Sequence, residues 1–182
     1  QDANMTADYV RLVVPAMTEG GTLPVLKHFP GYGDCGDSHT GVTRDTRPIE
    51  TFYSSDLLPF KEGINAGCGA VLVCHNIVEA MDDQNPASLS PEVHRVLREE
   101  LGFDGVAVTD DLYMDAIRDQ YGVGEAAVLA VLAGNDLLCC TEYDQQVPAV
   151  IEAVGQGRIT EERINESVMR VLMWKISLGI IE

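Results

Sequence analysis

Three short segments of this chain carry side chains that could do chemistry. The first ends an apolar run in Lys27 and His28, continues through Phe29, Pro30, Gly31, Tyr32, Gly33 and Asp34, and then presents Asp37, Ser38 and His39. Two glycines and a proline make a sharp, open turn that lets backbone approach a ligand closely. An aspartate and a histidine two residues apart in an extended loop can point the same way. The carboxylate then holds one imidazole nitrogen and turns the other toward a substrate, the base-plus-orienter arrangement of acid–base catalysis. A histidine with an ordinary pKa of about 6.5 both gives and takes protons near neutrality.

The second segment is Thr109, Asp110 and Asp111, after the apolar residues Val106, Ala107 and Val108. Side chains alternate along a strand, so one of the two acids faces a pocket and the other does not. An ionised carboxylate at an apolar rim is costly unless it meets donors or a developing positive charge such as an oxocarbenium-like transition state, with which it can also form a covalent intermediate. The third segment is His75 with Asn76, also at the end of an apolar run.

Each has a plainer reading. Asp37 and His39 could be a solvated loop pair, Asp110 and Asp111 a helix cap or half of a metal site, and Lys27 and His28 could snorkel from a strand end. His75 and Asn76 could satisfy loop backbone, and His94, on an expected helix, belongs at the surface. From residues alone the chain is an α/β pocket with acid and base groups at strand ends.

The elements that must position these groups are legible as four apolar runs, Leu23 to His28, Ala70 to His75, Gly105 to Thr109 and Asp136 to Cys140. Continuous rather than alternating hydrophobicity predicts strands covered on both faces, as in a parallel sheet wrapped by helices. Ser90 and Pro91 open one helix and Thr160 another; Gly124 to Ala133 reads as a helix pressed on the sheet, and the opening segment is helical to about Glu19. The longest irregular stretch, Pro30 to about Thr51, follows a strand directly, where active-site loops of parallel α/β folds lie.

Composition narrows the partners. The chain has 182 residues, 46% hydrophobic and 23% charged, the range of one ordinary globular domain over residues 1–182. Twenty-nine acidic against 12 basic residues give a net charge of -17, which disfavours nucleic acid and anionic lipid. No apolar stretch reaches the length of a membrane span and the first residues lack a signal peptide's pattern. Cys35, Cys68, Cys74, Cys139 and Cys140 read as small buried hydrophobes, and with no Cys-x-x-Cys spacing neither a zinc site nor a disulfide framework is expected. No metal and no cofactor is expected. Localisation stays open between the cytoplasm and a bacterial cell wall or exterior.

The wording of these segments adds a resemblance. Lys27 to Asp34 followed by Asp37-Ser38-His39 resembles the KHFPGHGD and DSH signature of bacterial glycoside hydrolase family 3 β-N-acetylglucosaminidases. Gly102 to Met114 resembles that family's GF-x-G-V-x-x-(S/T)-DD-L-x-M segment, and Pro86 to Ser90 and Ala133 to Asp136 resemble it at corresponding places. The resemblance implies a retaining exo-glycosidase that removes terminal β-linked N-acetylglucosamine from cell-wall or related glycans, as in peptidoglycan recycling. Asp110 would be the nucleophile, His39 oriented by Asp37 the proton-transfer group, and Lys27, His28 and His75 the substrate-binding residues. A phosphorylase, or a non-catalytic carbohydrate-binding or assembly fragment, is the alternative.

Two departures stand out. Tyr32 replaces the usual histidine, and the loop from Gly33 to Asp37 is one residue short of the commonest version. The fold implied is a (β/α)8 TIM-type barrel, which takes about 250 residues and eight strands. Only about four βα units are counted here, so the expectation is the C-terminal half of the barrel. Its missing complement would be an N-terminal half barrel or a second copy of the chain.

Overall fold

The computed structural model describes residues 2–33, 35–36 and 41–182. Helix α1 (Ala3–Glu19) leads into strand β1 (Val25–Phe29) and the two-residue β2 (Arg44–Asp45). One helical rod follows in three parts: α2 (Ile49–Thr51), a π-helical stretch Phe52–Asp56 and α3 (Leu57–Asn65). Strands β3 (Ala70–Val73) and β4 (Ile77–Val78) precede a 3-10 turn, Ala87–Leu89, and α4 (Pro91–Arg95), which runs on through a second π-helical stretch, Val96–Glu100. The chain ends with β5 (Val106–Asp111), α5 (Asp115–Tyr121), α6 (Val123–Ala133), β6 (Leu137–Cys139), α7 (Tyr143–Gly155) and α8 (Glu161–Ser177).

All four expected strands form, as one parallel sheet in the order β1-β3-β5-β6. Val25 pairs with Ala70 and Ala70 with Val106, while Leu72 pairs with Val108 and Val108 with Leu137, so side chains of one face stand in rows across the sheet. The succession of parallel strands with intervening helices is the TIM-type α/β pattern.

The larger part of the core lies on one face, while on the other Ala70 and Val106 are also buried. Leu26, Phe29, Val71, Val73 and Ala107 are buried against the helices, where Phe52, Phe60, Leu97 and Phe103 meet them and the Phe29 and Phe60 rings pack edge-on at 5.1 Å. A second cluster, Leu112, Ile117, Ala126, Ala127 and Ala130, seats the small-residue helix α6. On the opposite face Val25 and Leu137 are 39% and 40% exposed and Leu72 and Val108 half-buried. Cover on both faces was expected from these apolar runs. The described residues cover one, and the apolar row left on the other is the surface a complete barrel turns inward.

The helix signals held locally. The Ser90 hydroxyl accepts from the Val93 amide at 3.2 Å with Pro91 in the first turn, and Thr160 accepts from the Arg163 amide at 3.2 Å. Asp2 caps α1 by accepting from Asn4 at 2.8 Å. The irregular stretch was expected to run unbroken to about Thr51, but Arg44 and Asp45 pair with Ile77 and Val78, and helix begins at Ile49. His94 is buried rather than at the surface: its Nδ1 is 2.9 Å from the Ser90 carbonyl, and a Cβ at Gly134 would come within 3.0 Å of its ring, so the glycine is the notch that admits it. Of the cysteines only Cys68 and Cys74 are buried; Cys35 and Cys140 are half-buried and Cys139 is exposed, because β6 presents it on the uncovered face.

Asp136, just before β6, ties the last helix to the sheet. Its fully buried carboxylate accepts from Arg98 at 2.5 Å, the Ala107 amide at 3.0 Å, the Ser167 hydroxyl at 2.7 Å and Arg170 at 3.1 Å. Arg98 also donates to the Phe103 and Gly105 carbonyls, pinning the entry to β5.

Candidate active site

The chemistry-bearing residues within the described chain gather at the carboxyl end of the sheet. Asp110 is the fifth residue of β5, at the carboxyl end of the strand, where the register with β6 shifts between Val108 and Asp111. It is half-buried, and its Oδ1 accepts from the Asp111 amide at 3.0 Å. Asp111 holds the loop that follows: it accepts from the Tyr113 amide at 3.0 Å and from the Thr141 hydroxyl. Asp111 thus organises the strand's exit, while the carboxylate of Asp110 is engaged by the Asp111 amide.

Lys27 is exposed on β1 and His28 is half-buried, its ring 5.5 Å from that of Tyr32 at a tilt of 57°. The Lys27–His28 and Phe29–Pro30 peptide bonds are cis. β3 lies between β1 and β5, so Lys27 and Asp110 flank the mouth from strands roughly 10 Å apart in the pairing direction. Cys139, exposed at the end of β6, sits on the far side of Asp111, and burial followed by the Asp111 and Asp110 charges raises its thiol pKa. Asp37 and His39 lie outside the described residues.

His75 is placed differently from the rim contact expected of it. It is 0% exposed, with Nδ1 2.7 Å from the Ser88 hydroxyl and Nε2 3.0 Å from the Asp111 carbonyl. A carbonyl only accepts, so Nε2 carries the proton and Nδ1 accepts from Ser88. Burial pushes its pKa down, against the opposing pull of the Asp111 carbonyl and the two aspartate charges. The imidazole is therefore a neutral brace that fixes the end of β3 to the end of β5, directly behind Asp110. Beside it Cys74, wholly buried with its thiol pushed up to about 12 by burial, lies 2.5 Å from Asn76 Oδ1, and Asn76 donates to the Gly31 carbonyl at 3.3 Å.

A charged cluster under the loop after β1 was not anticipated. Arg47 donates to Asp45 at 2.7 Å and to Asp56 at 2.9 Å, with its guanidinium 4.6 Å from the Phe52 ring centre. Burial alone would raise the Asp45 pKa, but the Arg47 hydrogen bonds and charge outweigh it and hold the carboxyl below its ordinary value. An Asp-x-Arg spacing is too common to have singled these residues out, and Asp56 reaches them only because the helix after β2 folds back. Among the described residues no group of three or more His, Cys, Asp or Glu is placed to hold a metal ion, and no helix is long and apolar enough to cross a membrane.

A parallel TIM-type sheet with a carboxylate at a strand's carboxyl end and a Gly-Pro loop beside it is the layout of the active-site end of a TIM-type α/β enzyme domain. The chain belongs to glycosyl hydrolase family 3: residues 1–174 match the model of the "Glycosyl hydrolase family 3 N terminal domain". It is 35% identical to beta-hexosaminidase LpqI of Mycobacterium tuberculosis over 184 residues, covering 95% of this chain and 47% of that protein. It is 34% identical to a beta-hexosaminidase of Xanthomonas oryzae pv. oryzae over 181 residues, covering 98% and 52%. Among solved structures, a family 3 beta-N-acetylglucosaminidase from a Paenibacillus species superposes with a TM-score of 0.94 at 40% identity, over 99% of this chain and 36% of that one. These relatives are glycoside hydrolases acting on hexosaminides by name, and the chain spans about half the length of the curated relatives it matches.

Proposed function

We propose that this chain is the C-terminal, nucleophile-bearing half of a family 3 barrel that hydrolyses terminal β-linked N-acetylglucosamine with retention of configuration. The observation that carries the reading is the position of Asp110, half-buried at the carboxyl end of β5, with its neighbour Asp111 committed to the strand exit. The Asp110 carboxylate attacks the anomeric carbon as the bond to the leaving oxygen breaks, and that oxygen takes a proton from the His39 imidazole, which Asp37 orients. Water then gives a proton to the imidazole and attacks the same carbon, releasing Asp110. Two inversions return the original configuration. Lys27 and His28, on the opposite side of the mouth, hold sugar hydroxyls, and His75 keeps Asp110 in place from behind rather than touching substrate.

The remaining half of the barrel, an N-terminal portion or a second copy, covers the apolar face. The test is turnover of an aryl N-acetyl-β-glucosaminide by the barrel-complete protein. Asp110→Ala should abolish release of the phenol, and activity surviving that change rules the assignment out. The uncovered face favours one second reading, a sugar-binding or assembly half without turnover of its own. Saturable sugar binding by the barrel-complete protein with no phenol release would select it.

A further inference from the structure

Resting on the reading above, we infer that Arg47 is a positioning residue for the acid–base segment, holding both stems of the loop that carries it. The outgoing stem lies directly on the charged cluster. At Gly31, with φ 136°, a Cβ would fall 2.3 Å from Asp56 Oδ1, and at Gly33, with φ 54°, one would fall 2.6 Å from Arg47 Nη2. Both positions need glycine for the positive φ and for the close approach. The returning stem contains the cluster: Asp45 belongs to β2, and the carbonyls of Asp45 and of Thr43 just before the strand accept from the Glu79 and Ile77 amides at 3.0 and 2.9 Å.

Arg47 joins the stems. Its Nε is 3.0 Å from both Asp45 oxygens, Nη2 is 2.7 Å from Asp45 Oδ2 and 2.9 Å from Asp56 Oδ1, and Nη1 is 3.1 Å from Asp56 Oδ2. The guanidinium is thus held in two directions by carboxylates whose side chains are only 2% and 10% exposed. Desolvating two carboxylates and a guanidinium stabilises a fold poorly compared with apolar packing, whereas a planar fork held at fixed angles is rigid. A connection that only had to join β1 to the following helix needs no such fork. The clasp sets the separation and orientation of the stems between which Asp37 and His39 lie in the sequence.

The test is Arg47→Lys in the barrel-complete protein, keeping the charge and losing the fork, with Asp56→Asn as a second variant that leaves the Arg47–Asp45 pair in place. One readout is amide hydrogen exchange: peptides covering residues 31–43 should exchange faster in either variant, with α3 and β5 unchanged. The other is the leaving group. Proton donation matters for an alkyl or sugar aglycone and little for a dinitrophenyl one, so kcat/KM should fall about 10-fold or more further on the poor leaving group than on the activated one. Equal losses on both substrates, or unchanged exchange across 31–43, overturns the inference. Should Arg47→Lys fail to fold, Asp56→Asn decides by the same two criteria. A wild-type protein that turns over neither substrate sinks the glycosidase reading, while the exchange result still decides the clasp.

Discussion

Adjacent carboxylates with opposite duties are the residue-scale feature that carries the account. Asp111 accepts from the Tyr113 amide and the Thr141 hydroxyl, so it is a stability residue. Asp111→Ala should cost about 1 kcal/mol in urea unfolding, because it removes the acceptor of two hydrogen bonds from exposed donors. Asp110→Asn should leave the urea midpoint nearly unchanged; equal destabilisation by both would mean the acids share one structural job. The two buried imidazoles make a second prediction. Burial lowers the pKa of His75 and of His94 below the ordinary histidine value of about 6.5, so the unfolded chain takes up these protons first as pH falls. Their contribution is fully present above about pH 6.5 and is lost as pH drops below it, toward the depressed folded values. His94→Asn should therefore flatten the change in urea midpoint between pH 7.5 and 5.5, and a variant as acid-sensitive as the parent contradicts this. Asp45 and Asp82, whose pKa values are lowered from 3.8, act in a separate window near and below pH 4.

At the scale of elements, the Asp136 clasp is the most exposed to test. Its carboxylate collects Arg98, Arg170, Ser167 and the Ala107 amide, joining α8 to β5 and β6. Asp136→Ala leaves half-buried cations without a partner and should cost about 2–3 kcal/mol, read as loss of urea stability and detachment of α8 by hydrogen exchange. A loss below about 1 kcal/mol would show that α8 is held by its apolar contacts instead. The four sheet strands were legible because each is an apolar run bounded by turn residues, and α4, α6 and α8 because caps and glycines punctuate them. The helix over 49–65 was hidden: its π-helical stretch, Phe52–Asp56, shifts the apolar stripe off a 3.6-residue period. β2 and β4 are two residues each, too short for any periodic signal. Of the site, the strand-end position of Asp110 was legible from the apolar run Val106–Val108. The Arg47 clasp was not, since it is assembled by packing between residues nine apart, and the burial of His94 depends on a notch at Gly134 that no local pattern announces.

At the scale of the whole molecule, one sheet face carries apolar residues, Val25, Leu72, Val108 and Leu137, that are left half-buried or exposed among the described residues. Such a face, bordered by two open parallel edges, should drive association. Sedimentation of the isolated chain should show self-association, relieved by a separately expressed N-terminal half in a one-to-one complex; a stable monomer indifferent to that half contradicts the half-barrel account. The proposed chemistry happens at the carboxyl end of the same sheet. A slow-turnover fluorinated N-acetylglucosaminide, incubated with the barrel-complete protein, should leave one sugar covalently attached, and peptide mass spectrometry should find it on Asp110. A sugar found on any other residue, or turnover through an intermediate that never bonds to the protein, would contradict the assignment of this carboxylate as nucleophile.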